Sequence, residues 1–219
     1  MRFENWQYLW PPRPEKAIPK SLLSFYGKRN WVAQVKLNGT CNVLSVSPDN
    51  VIDARTRHFN IDEGQHKLWA PSANTAAPFK TLPRPNGGWY VFVAELMHSK
   101  VKDGIRDTNY IHDILVADGE YLVGKTFEER QVLLRSLFPE IDETNSTVAY
   151  HVIDKNTWLA RNHIGIDFAS LYDGVIPDPS YEGLVVKNPA AKLRLCSRKE
   201  RVNADWQIKC RKGNKLYGF

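Results

Sequence analysis

Apolar and polar residues are arranged along the chain in a pattern that predicts many short strands. Residues 89–97 and 181–188 are the clearest, because each is a short apolar run rich in β-branched or aromatic side chains. Strand signals also flank two turns, one at 48–50 and one at Asp118-Gly119. The predicted strands are 31–39, two within 41–57, 89–97, two within 110–124, 148–154, 181–188 and 206–211.

Helical signals are fewer. Thr126 and Glu129 have the spacing of a capping box, apolar residues follow within 127–137, and a proline ends the segment. A second helix is predicted over 157–173. We expect the first 30 residues, rich in proline and aromatic side chains, to wrap the body, and 70–88 to form a long loop. Together, the predicted elements indicate an α+β fold that is rich in strands and has few helices.

Composition narrows the class of protein. The 219 residues are 42% hydrophobic and 25% charged, which excludes wholesale disorder. No apolar run reaches the roughly 20 residues of a membrane helix, and the N-terminus lacks the apolar core of a secretion signal. Cys41, Cys196 and Cys210 show no CxxC spacing, and an odd number favours reduced thiols. These observations predict a cytoplasmic protein without a membrane partner.

Positive charge is concentrated in one stretch. Residues 187–215 contain ten Lys and Arg against two acidic residues, so their balance of +8 exceeds the +6 of the whole chain. A basic block beside a slightly acidic body indicates a polyanionic partner, such as nucleic acid or a nucleotide phosphate. Apolar and polar residues alternate from Trp206 onward. We therefore expect a strand that buries Trp206 on one face and presents Lys209 and Arg211 on the other.

Several charged residues stand in apolar surroundings, where an unpaired charge is costly. Lys36 lies between a strand and the glycine turn of KLNG, Glu95 interrupts VFVAELM, and Asp113 lies within YIHDILV. Glu182 and Lys187 bracket GLVV, and their odd separation places the two side chains on opposite faces of a strand unless a bulge intervenes. Structural ion pairs would explain any one of these residues. Taken together, however, these residues belong to short strings that form an ordered set along the chain.

The ordered strings K-x-x-G, A-E-L, H-D-I-L, E-G-L-V-V-K and I-K-C-R resemble motifs I, III, IIIa, IV and V of the covalent nucleotidyltransferases. This superfamily contains ATP-dependent DNA and RNA ligases and mRNA capping enzymes. The likeness spans residues 31–212. It implies a ligase-type, ATP-grasp-like adenylation domain with antiparallel sheets flanked by a few helices. It also implies ligation in three steps: a lysyl-AMP adduct forms from ATP, AMP passes to a 5′-phosphate, and that end is joined to a 3′-hydroxyl.

The resemblance gives each matching residue an expected role. Lys36 would attack the α-phosphate of ATP, while the neighbouring cations Lys209 and Arg211 would favour its neutral amine and stabilise charge on the phosphate. Glu182 would hold a divalent metal, Mg²⁺ or Mn²⁺, and Glu95 would contact the ribose or share that metal. The other expected nucleotide contacts are Gly39 at the motif I turn, His112 at the place of an adenine-stacking ring, Lys187 at the α-phosphate, and Arg55, which would hold the 5′-phosphate of the nucleic acid.

The substrate is less sharply defined. Motif I reads K-L-N-G-T-C, with Asn38 and Cys41 where DNA ligases carry aspartate and arginine, and it is more similar to phage-type RNA ligases. An RNA ligase is therefore favoured; a DNA ligase, a capping-type guanylyltransferase and an inactive module that binds nucleic-acid ends are the alternatives. Gln34 stands where many relatives have glutamate, which leaves ATP against GTP open. The expected contacts to the polynucleotide backbone are Lys192, Arg194, Arg198, Lys199 and Arg201.

Relatives continue after motif V into an OB-fold or a helical domain, whereas residues 213–219 follow that motif here. The sequence therefore predicts a single adenylation domain over 1–219, with a partner protein as one source of the substrate clamp. The expected substrate is nicked or broken duplex RNA, DNA or a hybrid. A compact ligase of this kind would also suit a virus acting in the host cytoplasm.

Overall fold

The structure is a computed structural model that describes residues 12–60, 65–97, 105–196, 200 and 202–212. Its strands are β1 (Val32–Leu37), β2 (Thr40–Val46), β3 (Ile52–Asn60), β4 (Gln65–Trp69), β5 (Tyr90–Met97), β6 (Thr108–Ala117), β7 (Glu120–Tyr121), β8 (Tyr150–Asp154), β9 (Thr157–Ala160), β10 (Tyr181–Lys187) and β11 (Gln207–Arg211). Its helices are α1 (Leu23–Gly27), α2 (Ala73–Ala76), α3 (Phe127–Ser136) and α4 (Phe168–Val175), with short 3-10 segments at Lys20–Leu22, Ala77–Thr81 and Val202–Ala204.

The strands form two sheets. The smaller sheet has the order β1-β10-β11, and the larger has the order β4-β3-β2-β5-β6-β9-β8, with β7 paired to β6. Neighbouring strands are antiparallel except β6 and β9. This arrangement confirms the α+β prediction, since antiparallel-rich sheets dominate and helices are few.

The chain passes from the smaller sheet to the larger one at the turn between β1 and β2. Gly39 lies in this turn, and a Cβ added to it would stand 2.5 Å from the carbonyl oxygen of Leu96 in β5. Only glycine allows the two backbones to come so close. The end of β1 is therefore held directly against β5 of the larger sheet.

The apolar core consists of two clusters, and the second includes residues of both sheets. In the larger sheet, Phe92 and Ile114 are fully buried and belong to one cluster with Leu134 of α3. In the smaller sheet, the face that carries Val35 and Leu184 packs in a second cluster with Phe168 of α4. Burial of each such side chain contributes about 1.5–3 kcal/mol. One face of the smaller sheet is thus closed by apolar packing, which leaves its other face for polar residues.

The helix predicted after Thr126 is confirmed together with its cap. The Thr126 hydroxyl accepts from the backbone amide of Glu129, whose carboxylate accepts from the amide of Thr126 in return. The buried positions are Phe127, Arg130, Gln131 and Leu134. Val132 is 67% exposed and does not belong to the buried face. No helix in the described ranges is long and apolar enough to span a membrane.

The prediction of one helix over 157–173 is wrong. Residues 157–160 form β9, which pairs with β8 across a turn and with β6 in parallel, and all four are buried. The helix α4 begins later, where Asp167 caps it by accepting from the amides of Ala169 and Ser170. The loop predicted over 70–88 contains α2 and a 3-10 segment, and β4 was not predicted.

Candidate active site

The polar face of the smaller sheet brings together residues from three distant motifs. Lys36 of β1 is paired with Gly183 of β10, which is paired in turn with Arg211 of β11. The next row on the same face has Gln34 at one edge and Lys209 at the other. Because Gly183 has no side chain, the residue of the central strand that is paired with both of them places no side chain between Lys36 and Arg211. The alternation expected for β11 therefore places both of its cations beside Lys36.

A β-bulge carries Glu182 to this face. The pairing of β1 with β10 shifts after Lys36, so Glu182 has no direct partner. Gly183 has a φ of 140°, and a Cβ there would lie 2.0 Å from the carbonyl oxygen of Cys210, so the bulge requires glycine. The Glu182 carboxylate forms a salt bridge with Lys36 Nζ. Glu182 and Lys187 thus lie on one face despite their odd separation, which is the exception that the sequence left open.

Positively charged side chains cluster at the end of this face that carries Lys36, Lys209 and Arg211, which we call the open end. Burial and then the charges of Arg211 and Lys36 lower the pKa of Lys209. The Lys209 ammonium donates to the carbonyl oxygen of Pro14 at 3.4 Å. Like charges held this close are costly unless an anion joins them. The arrangement is therefore suited to a phosphate group.

Lys187 lies at the opposite end of the polar face, which we call the closed end. Its side chain is buried, and Nζ lies 3.5 Å from the carbonyl oxygen of His112 and 4.7 Å from the centre of the Phe127 ring. Burial lowers the pKa of Lys187 to about 8, with Arg130 acting in the same direction and Asp113 opposing it. In its protonated form, this lysine places a positive charge at the floor of the site.

Asp113 receives a partner that the sequence did not reveal. Arg130 of α3 donates to both of its carboxylate oxygens, from Nε and Nη2, at 2.9 Å each. Both residues are fully buried. Burial alone would raise the pKa of Asp113, but the Arg130 charge and hydrogen bonds hold it below its usual value. The signal for Arg130 was its position: three residues after Phe127 and four before Leu134, on the buried face of the helix.

A cluster of side-chain amides lies beside Gln34. Gln34 Nε2 donates to Asn162 Oδ1 at 2.7 Å and to Gln131 Oε1 at 3.3 Å, and Asn162 Nδ2 donates to the same Gln131 oxygen at 3.2 Å. Gln131 Nε2 donates in turn to the His112 carbonyl oxygen at 3.2 Å. These contacts orient Gln34 so that Nε2 is fully used, while no described residue donates to its Oε1. Sequence reasoning missed Gln131 and Asn162 because neither belongs to a motif.

His112 lies next to Lys187, whose ammonium is 3.5 Å from the His112 carbonyl oxygen. His112 is the extra residue of a bulge in β6, opposite Val93 and Ala94 of β5. Burial, followed by the charge of Lys187, lowers its pKa to about 3, so the ring is neutral. Its Nδ1 atom is buried and has no hydrogen-bond partner among the described residues. A neutral, half-buried ring with an unused polar atom is able to contact a bound base.

The larger sheet contributes Glu95 and Arg55. A Cβ on Gly39 would stand 2.8 Å from Cγ of Glu95, so the Glu95 carboxylate belongs beside the motif I turn. Arg55 lies in β3, across β2 from Glu95, and donates to the carboxylate of Asp53 at 2.9 Å from both Nε and Nη2. The structure thus brings Glu95 to the turn and places Arg55 further along the same sheet.

The basic block is only partly described. Arg194 is exposed, lies 3.6 Å from the carboxylate of Asp205 and donates to the Val202 carbonyl oxygen; Lys192 is also exposed. Arg198, Lys199 and Arg201 lie outside the described residues. The expectation for Trp206 needs correction: it precedes β11 and packs against Phe127, with ring centres 5.7 Å apart, rather than with the buried face of that strand.

Two sheets, a polar face on the smaller one and a motif I turn against the larger one together define the fold of the nucleotidyltransferase domains of ATP-dependent DNA ligases. Solved structures with this fold include a mycobacterial DNA ligase D complexed with ATP and MES. It superimposes with a TM-score of 0.59 and 17% identity, over 98% of this chain and 62% of that one.

Two further structures agree. The ligase domain of LigD from M. tuberculosis gives a TM-score of 0.53 at 15% identity, over 95% of this chain and 60% of that one. A Lig E DNA ligase gives 0.51 at 12% identity, over 93% and 70%. This chain thus spans about three fifths of the length of the two ligase D structures. No protein-family model matches the sequence, and no curated protein matches it.

Proposed function

We propose that the protein is an ATP-dependent polynucleotide ligase that seals a 5′-phosphate to a 3′-hydroxyl through a lysyl-AMP intermediate. The observation that carries the proposal is the convergence of Lys36, Glu182, Lys209 and Arg211 on one face of a three-stranded sheet. These residues come from three sequence motifs. A structural role alone would not require so many cations around one amine.

In the first step, Lys36 Nζ attacks the α-phosphorus of ATP. The N–P bond forms, the P–O bond to pyrophosphate breaks, and a proton leaves Nζ, whose hydrogen-bond acceptor is the carboxylate of Glu182. Lys209 and Arg211 stabilise the charge that develops on the phosphate oxygens, and Lys187 approaches the same group from the floor of the site. AMP then passes from Lys36 to the 5′-phosphate, which Arg55 holds, and the 3′-hydroxyl displaces it.

A divalent cation fits this site. Mg²⁺ prefers oxygen ligands and commonly combines one or two carboxylates with phosphates of the substrate. Glu182 and Glu95 supply such carboxylates, and the Glu182 side chain is 26% exposed and therefore accessible. The described residues contain no group of three or more His, Cys, Asp or Glu able to hold a metal. These two residues would hold a magnesium or manganese ion that neutralises the phosphate oxygens when bound.

The amide cluster supports ATP over GTP. Because Gln34 Nε2 donates to two neighbours, its Oε1 is the atom left to meet a base. An acceptor at this point suits the 6-amino group of adenine and repels the 6-oxo group of guanine. Val185, half-buried between Gln34 and Lys209 in the same row, offers an apolar surface, and the neutral ring of His112 offers another.

The polynucleotide is the open part of the proposal. The motif I string favours RNA, whereas the solved structures named above are those of DNA ligases. Both substrates present the same phosphate and hydroxyl ends to Lys36 and Arg55. The exposed Lys192 and Arg194 would contact the backbone of either.

Incubation with labelled ATP or GTP and Mg²⁺, followed by denaturing electrophoresis, tests the covalent step. We expect label on the chain from ATP, none from GTP, and none with Lys36→Ala. Lys125→Ala, which alters an exposed lysine paired with Glu129, is a matched control that retains the label. Absence of label from both nucleotides, or label that survives Lys36→Ala, would reject the mechanism.

A panel of nicked RNA, DNA and hybrid duplexes then identifies the substrate. The purified adenylated protein is supplied with each duplex without free ATP, so that the panel reports only the second and third steps. Sealing of any one duplex supports the ligase proposal. An adenylated protein that transfers AMP to none of them contradicts it.

A further inference from the structure

The segment before α1 is paired with the edge of the smaller sheet, directly beside the cation cluster. The amide of Ile18 donates to the carbonyl oxygen of Lys209 at 3.0 Å, and the amide of Lys209 donates to that of Lys16 at 3.0 Å. The Lys209 ammonium also reaches the Pro14 carbonyl oxygen at 3.4 Å. Residues 14–18 are therefore held at the border of the site by hydrogen bonds to Lys209.

Arg13 is carried to the cluster by this pairing. It directly precedes Pro14, and its charge, with those of Arg211 and Lys36, acts on the Lys209 ammonium. Arg13 is half-buried and forms no ion pair with any described residue. The carboxylate of Glu182 is paired to Lys36, and the acid whose charge acts on Lys209 is Glu15.

Among the residues that the structure describes, four cations surround two carboxylates, which leaves an excess of positive charge at a partly buried border. Such an excess is unfavourable in the free protein and becomes favourable when a multiply charged anion enters. The α-phosphate must lie at Lys36 for adduct formation, so the remaining phosphates of the nucleotide lie outward from it. Arg13 is the cation that the proposed first step does not yet use.

We propose that Arg13, together with Lys209, forms a binding site for the β- and γ-phosphates of the nucleotide. This inference rests on the proposed function, since it assigns the outer part of the same nucleotide site. Arg13 would bind ATP and the departing pyrophosphate, and it would make no contact with AMP. An arginine fork suits this task because it donates two hydrogen bonds to a phosphate.

Calorimetric titration of the full chain with α,β-methylene-ATP, which cannot transfer AMP, and separately with AMP tests the site. Arg13→Ala should weaken binding of the ATP analogue about tenfold, the effect of losing one charge-assisted contact, and should change AMP binding less than about twofold. Arg13→Lys should recover part of the loss. Lys16→Ala, an exposed lysine three residues away whose backbone bond to β11 is retained, should change neither affinity.

The outcomes separate this proposal from the proposed function. Equal loss of both affinities in Arg13→Ala would show a role in positioning β11 and would overturn the phosphate site, as would an unchanged affinity for the analogue. A wild-type chain that binds neither nucleotide would reject the proposed function, and this inference with it. Adenylated wild-type protein and adenylated Arg13→Ala should seal a nick at the same rate, because pyrophosphate has already left.

Discussion

The two ends of the smaller sheet's polar face are flanked by ion pairs of opposite character. At the closed end, Asp113 and Arg130 are fully buried and satisfy each other through two hydrogen bonds of 2.9 Å. At the open end, the side chains of Lys36 and Glu182 are 22% and 26% exposed, and one salt bridge joins them. A buried pair with fixed geometry holds the elements that carry it in place. In an accessible pair, by contrast, either residue is able to exchange its partner for a substrate.

The difference shows how one face serves two purposes. Arg130 fixes α3 against β6, and the same helix supplies Gln131 to the amide cluster and Phe127 to the surroundings of Lys187. The closed end thereby sets the position of the floor on which a nucleotide would rest. The open end retains charges that are accessible to solvent. Substitutions that act on one pair should therefore separate stability from activity.

Arg130→Ala should produce the largest loss of stability. It leaves the carboxylate of Asp113 buried without its partner, which costs about 3–5 kcal/mol. Urea denaturation followed by tryptophan fluorescence measures the change. Lys36→Ala is the matched control at the open end and should cost less than about 1 kcal/mol, because Glu182 is accessible to water. Similar losses in both variants would contradict the comparison.

The double substitution Asp113→Leu, Arg130→Leu sharpens the same point. It removes both charges of the pair, so no carboxylate is left buried without its arginine, and the protein should be more stable than Arg130→Ala alone. A double variant that is less stable than the single one would mean that the pair itself, and not the orphaned carboxylate, dominates the energy.

Gly183→Ala should damage the open end. A Cβ would meet the Cys210 carbonyl oxygen, and the φ of 140° is unfavourable for alanine, so the bulge that directs Glu182 must change. Misplacement by about 1 Å lowers a rate roughly hundredfold, and we expect that reduction in lysyl-AMP formation. Gly174→Ala in α4, where a Cβ meets open space, is the control and should stabilise the helix by about 0.5–1 kcal/mol. Unchanged adduct formation in Gly183→Ala would contradict the role of the bulge.

The pH dependence of stability reports on the closed end. The pKa of Lys187 is about 8 in the folded protein and about 10.4 when unfolded. Between these values the unfolded chain binds more protons, so stability rises with pH, by on the order of 1–3 kcal/mol. Below pH 8 both states are protonated and the cost of burying the charge is constant. Lys187→Met should abolish the rise, measured by urea midpoints at pH 7.5, 9 and 10. An identical rise in stability with pH in the variant would mean that other titrating groups cause it.

The sequence predicted most strands because side chains alternate with period two and the turn residues between them are distinctive. The same alternation correctly predicted that Lys209 and Arg211 share one face of β11. Lys36 and Arg211 are 175 residues apart, and their placement in one row depends on pairing through β10, which local patterns do not contain. The resemblance to a family supplied that part of the prediction.

The errors have physical causes. TWLA at 157–160 is a four-residue strand whose pairing with β6 is a tertiary contact, so the following polar residues made a longer helix equally plausible. Arg130 was overlooked because a charged residue on a buried helical face is rare unless paired, and its partner, Asp113, lies in a different element. Trp206 was placed one residue too far into its strand, and β11 begins after it.

Lys20→Ala should have the smallest effect, and it tests the premise of the comparison. Lys20 Nζ lies 2.6 Å from the Asp173 carboxylate, closer than many strong pairs, yet the two side chains are 48% and 58% exposed. Because water competes for both charges, removal of Lys20 should cost no more than about 0.5 kcal/mol and leave lysyl-AMP formation unchanged. Urea denaturation and the labelling assay measure both quantities. A loss above about 1 kcal/mol would mean that distance outweighs exposure in this protein, and Lys36–Glu182 would then have to be counted among the pairs that hold the fold together.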